Sequence, residues 1–143
     1  MFDASAVVNL VKRGSLKPFI RGATLDLAVY ESLNAIWKEH KMLSHIDLET
    51  ARTFVEILKG LFDSIPLESV KGYETEVFEL ASKEGLTVYD AAYLYVAMKD
   101  GLTLVSDDER LLSKATRYVK ALKTAELLQN LTPRGKCAGS ETP

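Results

Sequence analysis

The run Ala91–Met98, reading AAYLYVAM, is apolar on every side of a helix. Thr87 precedes it as an N-cap, and Gly101 follows it as a stop signal. Such a helix has no face to give to water, so the rest of the chain must pack around it. The chain has 143 residues, of which 47% are hydrophobic and 27% charged. That is enough apolar material for one core in one domain of ordinary size.

Short extended pieces alternate with helical stretches along the sequence. Met1–Ala4 reads as the end of a strand and Ser5–Lys12 as a first helix. Thr24 precedes a long helical stretch to Lys41, with Leu25, Val29, Leu33 and Ile36 on one face. Asp47 caps a third helix whose apolar positions include Phe54, Leu58, Leu61 and Phe62. Ser64–Leu67 bears a proline and reads as an edge strand. Ser69 caps a fourth helix that runs to Glu84 and ends at Gly85. Beyond the buried fifth helix, Leu102–Val105 reads as a buried strand and Ser106 begins a helix. Tyr118–Ala121 then reads as a strand and Thr124–Leu131 as a last helix. The alternation predicts an α/β fold, a three-layer α/β/α sandwich with a short, mostly parallel sheet flanked by helices. One domain is expected over 1–131. The tail 132–143, rich in Pro, Gly, Ser and Thr, is expected to be disordered.

Several function classes are disfavoured. No apolar run approaches the roughly 18 residues of a membrane span. The N-terminus lacks the basic and apolar regions of a signal peptide, which makes a cytoplasmic location the default. The single cysteine, Cys137, excludes internal disulfides and thiolate metal sites. A net charge of −2 argues against gripping nucleic acid through bulk positive charge, but a bound divalent cation would change the local sign. There is no Gly-rich phosphate loop. His40 and His45 lack zinc-motif spacing and read as surface residues. Tyr89, Tyr93 and Tyr95 read as packing residues rather than base-stacking platforms.

In open α/β sheets the ligand crevice lies beyond the carboxyl ends of the strands, where helices begin. Asp3, Asp90 and Asp108 all fall at such ends. Each also has a plain explanation, because acids in first helical turns complement the exposed N–H groups and the helix dipole. Thr87–Asp90 and Ser106–Glu109 both have capping-box patterns. Glu31 is different, since it sits mid-helix among Leu27, Asn34 and Ala35. A carboxylate placed there is either partly buried and in need of a partner or set on a solvated helix flank. Together the acids form a set that a hard cation such as Mg²⁺ would neutralise.

Four segments carry a family resemblance: DASAVV at Asp3–Val8, LAVYESLNAIWK around Glu31 and Asn34, LTVYDAAYLYVAM around Asp90, and LVSDDERLL around Asp108. In this order and at these separations the chain resembles a PIN-domain protein of the VapC toxin ribonuclease type, from Met1 to about Leu131. The resemblance implies a PIN-like sandwich. It also implies Asp3, Glu31, Asp90 and Asp108 as catalytic and metal-binding acids around one or two Mg²⁺ or Mn²⁺ ions. Ser5, Asn34, Ser106 and Asp107 are implied as supporting residues, with Ser106 selecting Asp108 over its neighbour by spacing. RNA is the implied substrate, a VapB-type antitoxin the implied partner, and a homodimer with helices at its interface the implied assembly. Only Met1 and Phe2 precede Asp3, so either the first strand is unusually short for that family or the true start lies upstream.

Lys12 and Arg13, with Lys17 and Arg21, form a basic group that reads equally as an RNA-backbone contact or as a solvated helix and loop. Two other functional readings stand beside the ribonuclease. One is a non-catalytic PIN-like RNA- or protein-binding module whose acids serve as caps. The other is a flap-type DNA structure-specific nuclease, against which the short, acidic chain without a duplex clamp speaks.

Overall fold

The computed structural model describes residues 1–131. The expected disordered tail and Cys137 lie outside the described residues. The elements, in order, are α1 (Ala4–Lys12), β1 (Thr24–Leu25), α2 (Leu27–Trp37), α3 (Leu48–Ser64), β2 (Leu67–Glu68), α4 (Glu74–Glu84), α5 (Val88–Asp100), β3 (Leu104–Val105), α6 (Glu109–Ala115), β4 (Ala121–Leu122) and α7 (Thr124–Leu131). A 3₁₀ turn, Lys17–Arg21, follows α1, and a π-helical turn, Lys38–Met42, extends α2. Among the described residues no helix is long and apolar enough to cross a membrane.

The strands are very short and parallel. β1 pairs with β2, and β3 pairs with β4. Met1–Asp3 lies between the two pairs. The Phe2 amide donates to the Ala23 carbonyl at 2.9 Å, and the Thr24 hydroxyl donates to the Phe2 carbonyl at 2.6 Å. On the other side, the Val105 amide donates to the Met1 carbonyl at 2.8 Å and the Asp3 amide to the Val105 carbonyl at 3.1 Å. The result is the α/β sandwich expected, with an order of β2–β1–(Met1–Asp3)–β3–β4.

Because neighbouring strand residues point to opposite faces, the sheet divides the core in two. Met1, Leu25 and Leu104 face the cluster built by α4, α5 and α6. Phe2 and Val105 face the cluster built by α1 and α3. α2 serves both sides, with Ala28 in the first cluster and Ile36 in the second. The buried fifth helix is as expected: Ala91, Ala92, Tyr93, Leu94, Val96 and Ala97 are all buried. Burying a side chain such as Leu94 is worth about 1.5–3 kcal/mol. Gly85 and Gly101 end α4 and α5 in the left-handed region, as their positions in the sequence suggest.

Four expectations need correction. Thr24 and Leu25 form a strand, not the entry to a helix, because the sheet claims their backbone: the Thr24 amide donates to Pro66 at 3.2 Å and the Asp26 amide to Glu68 at 2.9 Å. The helix then runs Leu27–Trp37 and passes into the π turn before Lys41. α4 begins at Glu74 rather than after Ser69, since Ser69 closes a turn by accepting from the Lys71 amide at 3.1 Å. Ser106 does not open α6: its hydroxyl turns away toward Asp3, and Asp108 caps the helix. Finally, β4 begins only at Ala121, because Tyr118 and Val119 still donate back to Ala115 and wind a last turn on α6.

Gly22 fixes the packing beneath the central segment. A Cβ at Gly22 would meet Phe2 Cε2 at 2.2 Å, and Phe2 is itself packed on Phe19 with ring centroids 4.8 Å apart. Overpacking of this kind costs about 1–3 kcal/mol. Gly22→Ala is therefore expected to lower unfolding free energy by that amount in urea titration, and adding Phe2→Leu should recover part of it. An unchanged midpoint for Gly22→Ala would contradict this packing.

Candidate active site

Asp3 closes the central segment and caps α1. Its side chain is 4% exposed. One carboxylate oxygen, Oδ1, accepts from the Ala6 amide at 2.9 Å and from the Ser5 hydroxyl at 2.7 Å. The other, Oδ2, accepts from the Ser106 hydroxyl. The two serines are tied in turn to the loop after β3. The Asp107 amide donates to Ser5 Oγ at 2.9 Å, and the Asp108 amide donates to Ser106 Oγ at 3.0 Å. Two hydroxyls thus relay between one loop and one carboxylate. Ser5 and Ser106, singled out in the sequence, both touch the buried acid.

Asp108 uses Oδ1 to cap α6, accepting from the amides of Arg110 at 2.9 Å and Leu111 at 3.3 Å. Thr87 caps α5 by accepting from the Asp90 amide at 3.1 Å, and its side chain also hydrogen-bonds the Asp90 carboxylate, so the two form a capping pair. Glu31, on the second turn of α2, accepts from the Tyr93 hydroxyl at 2.9 Å. Tyr93 is almost fully buried, and its phenol is held far above its ordinary range by burial and then by the Glu31 charge.

The acids sense one another. Burial first, then Asp108 and Glu31, raise the Asp90 carboxyl above its usual range, against the pull of Thr87 and Arg110. Asp3 is pushed up to about 6, mainly by burial, with Asp90 adding to the shift and the two serines and Ala6 opposing it. Asp90 is the hub that all three other acids reach. Parallel strands explain why Asp3 and Asp108 share an edge, since both follow the carboxyl ends of neighbouring strands.

Asp107 is placed differently. The Thr124 amide donates to its Oδ1 at 2.9 Å, and the Thr124 hydroxyl to its Oδ2 at 2.7 Å. The Asn9 side-chain amide also donates to Oδ2. Burial pulls its carboxyl upward, but these bonds outweigh it and hold the group below the usual range. Asp107 thereby clamps the site loop to α1 and to the start of α7. Asn34, Ser5 and Glu31 line an open groove between α1 and α2. The Lys12 ammonium pairs with Glu39, and Arg13 Nε donates to the Asn9 side-chain oxygen at 3.0 Å. His40 Nδ1 lies 3.0 Å from the Ile46 carbonyl, away from the acids.

Sequence reasoning missed Asn9, Tyr93 and Thr124. Tyr93 carried a usable signal, since it falls three residues after Asp90 and one helical turn further into the core. Asn9 and Thr124 have no local signal, because their partner Asp107 is 98 and 17 residues away.

Among the described residues, no three His, Cys, Asp or Glu side chains are gathered closely enough to cage an ion unaided. The donor set is nonetheless of the right chemistry. It is all oxygen, and two of its carboxyls, Asp3 and Asp90, are raised by burial and then by neighbouring acids. Mg²⁺ asks for little more, as it keeps several waters and binds through one or two carboxylates plus substrate phosphate.

The burial of Asp3 has a pH signature. An unfolded Asp ionises near 3.8 and this one near 6, so between those values the folded chain binds more protons. Stability of the metal-free protein should fall by about 3 kcal/mol as pH rises through that window, and the penalty should persist above it. Metal-free Asp3→Asn is expected to melt higher than the wild type at pH 7 and to match it near pH 4. Equal melting temperatures at pH 7 would contradict the placement.

No family model matches the chain. It is 36% identical over 119 residues to Exonuclease VapC9 of Pyrobaculum aerophilum, covering 80% of this chain and 84% of that protein. It is 38% identical over 91 residues to Ribonuclease VapC3 of the same organism, covering 64% of this chain and 69% of that one. The crystal structure of PAE2754 from Pyrobaculum aerophilum superposes with a TM-score of 0.74 at 36% identity, over 90% of this chain and 92% of that one.

Proposed function

The chain belongs to the VapC family of PIN-domain proteins, and from that premise we propose that it is a metal-dependent endoribonuclease, the toxin of a VapBC-type toxin–antitoxin pair. What supports this reading is the gathering of acids at one edge of the sheet, where Asp108 and Glu31 lie close enough to raise Asp90, and Asp90 to raise Asp3. Simple caps would have no reason to converge on Asp90. Asp3, Asp90 and Asp108, with Glu31 completing the set, would hold one or two Mg²⁺ or Mn²⁺ ions, which would supply positive charge for the phosphoryl oxygens and a more acidic water.

The protein's own residues orient the acids. Ser5 and Ser106 fix both oxygens of Asp3, and Tyr93 fixes Glu31. Asp107 locks the loop that carries Asp108. Preorganisation of this kind spares reorganisation during the reaction. Water adds to phosphorus, the bond from phosphorus to the 3′ oxygen breaks, and that oxygen takes a proton. The products are a 5′-phosphate and a 3′-hydroxyl. Histidine takes no part in this scheme.

A VapB-type antitoxin that covers the acids, a homodimer and a cytoplasmic location complete the proposal. The name of one relative, an exonuclease, makes the mode of cutting the sharpest point to test. A circular RNA separates the modes, since only an endonuclease opens it.

Purified protein with Mn²⁺ should open circular RNA, leave single-stranded DNA largely intact and stop on chelation. Asp90→Asn should lose at least a hundredfold in rate. Equal, metal-independent cleavage by wild type and variant would sink the proposal. Tyr93→Phe keeps the ring in the core and removes only the hydroxyl. It is expected to stay within about 1 kcal/mol of wild-type stability while needing several-fold more Mn²⁺ for half-maximal rate.

A further inference from the structure

The groove between α1 and α2 has an uneven charge along its length. It is open and has a volume of about 590 Å³. Ser5 and Glu31 line it where it meets the acid cluster, and Lys12 and Lys38 also line its walls, with Asn9 and Asn34 between. These positions follow helical spacing on both helices, Ser5–Asn9–Lys12 on one and Glu31–Asn34–Lys38 on the other. Seven residues of helix rise about 10 Å, so the lysines lie roughly that far along the groove from the acids.

The two lysines are not equivalent. Lys12 is paired with Glu39, whose other oxygen is buried without a hydrogen bond. Lys38 makes no ion pair among the described residues. One net positive charge therefore remains at that end of the groove. Asn34 is exposed, and its side-chain amide makes no hydrogen bond among the described residues, whereas the Asn9 side chain is taken up by Asp107, Thr124 and Arg13. A free amide and a free ammonium thus follow the acids in a line. The remaining basic residues of this region do not share the groove. Lys17 lines a separate cavity with Gly14, Pro18 and Leu131.

We propose that the α1–α2 groove is the track of the single RNA strand next to the cleaved phosphodiester, with Lys38 receiving a flanking phosphate and Asn34 bonding the nucleotide between. A polyanion entering an acidic site is repelled everywhere except where a cation compensates it, and this groove provides that cation beside the acids. Alongside small apolar residues the groove carries two amides and two ammonium groups, which a sugar–phosphate chain can use and an apolar helix cannot. This track rests on the ribonuclease reading.

The test uses the full chain and a ten-nucleotide RNA labelled at its 5′ end. Anisotropy in EDTA reports binding without cleavage. Lys38→Ala should weaken binding several-fold, Lys38→Glu more, and Lys38→Arg little. The slope of log Kd against log salt should drop by about 0.7 for the lost contact. With Mn²⁺, Lys38→Ala should raise KM on the ten-mer with kcat unchanged, and leave cleavage of a dinucleotide, too short to reach Lys38, as in the wild type. Affinity and salt slope that are blind to Lys38→Glu overturn the track, and the nuclease reading still stands if Asp90→Asn abolishes cleavage. A wild type that neither binds nor cleaves RNA overturns both.

Discussion

The hydrogen bonds that Met1–Asp3 makes to Ala23 on one side and to Val105 on the other join two strand pairs that are otherwise separate. Only one regular ladder step is involved, at Phe2 and Val105. It still decides the register of everything around it. A shift by one residue would exchange Met1 and Phe2 between the two core faces. It would also carry Asp3 away from Ser106 and off the first turn of α1. The short strand is tolerated because its side chains are enclosed on both faces and Thr24 adds a side-chain bond to the Phe2 carbonyl.

The acid cluster follows from that register. Capping and metal binding are usually set against each other as explanations for an acid at a helix start, yet here they are compatible. Asp108 spends Oδ1 on α6, and Asp3 spends one oxygen on α1. The second oxygen of Asp3 accepts from Ser106, and that of Asp108 takes no part in the cap. The helix starts supply partial positive charge that favours the ionised form, while burial and neighbouring acids oppose it at Asp3 and Asp90. At Asp3 and Asp90 the balance falls toward the protonated form relative to an ordinary carboxyl.

Much of this was legible in the sequence. The buried fifth helix was visible because an all-apolar face cannot be solvated, and Asp47, Thr87, Gly85 and Gly101 marked their helix ends by local chemistry alone. Ser5 and Ser106 were implied by the family resemblance rather than by local chemistry. The strands were harder, because two residues are too few to display a period, so Leu25 read as part of a helix until β2 was seen beside it. Tyr93 was read as packing, which is true of its ring and incomplete for its hydroxyl. Asn9 and Thr124 were invisible since nothing near them in the chain explains them. The basic group at the N-terminal end was legible as charge, but its division between groove, ion pair and separate cavity depends on the tertiary fold.

The clamp around Asp107 has a consequence for how the molecule comes into being. Asn9 and Thr124, both bonded to Asp107, are 115 residues apart, and Ser106 meets Asp3 across 103. Nothing local holds these groups together, so closing the loop must wait on contacts of very high sequence separation. During synthesis Asp3 leaves the ribosome long before Thr124. Until then the carboxylates are solvated, scattered and electrically independent. The cluster is therefore a property of the finished chain, and a nascent or truncated one carries its acids without their coupling.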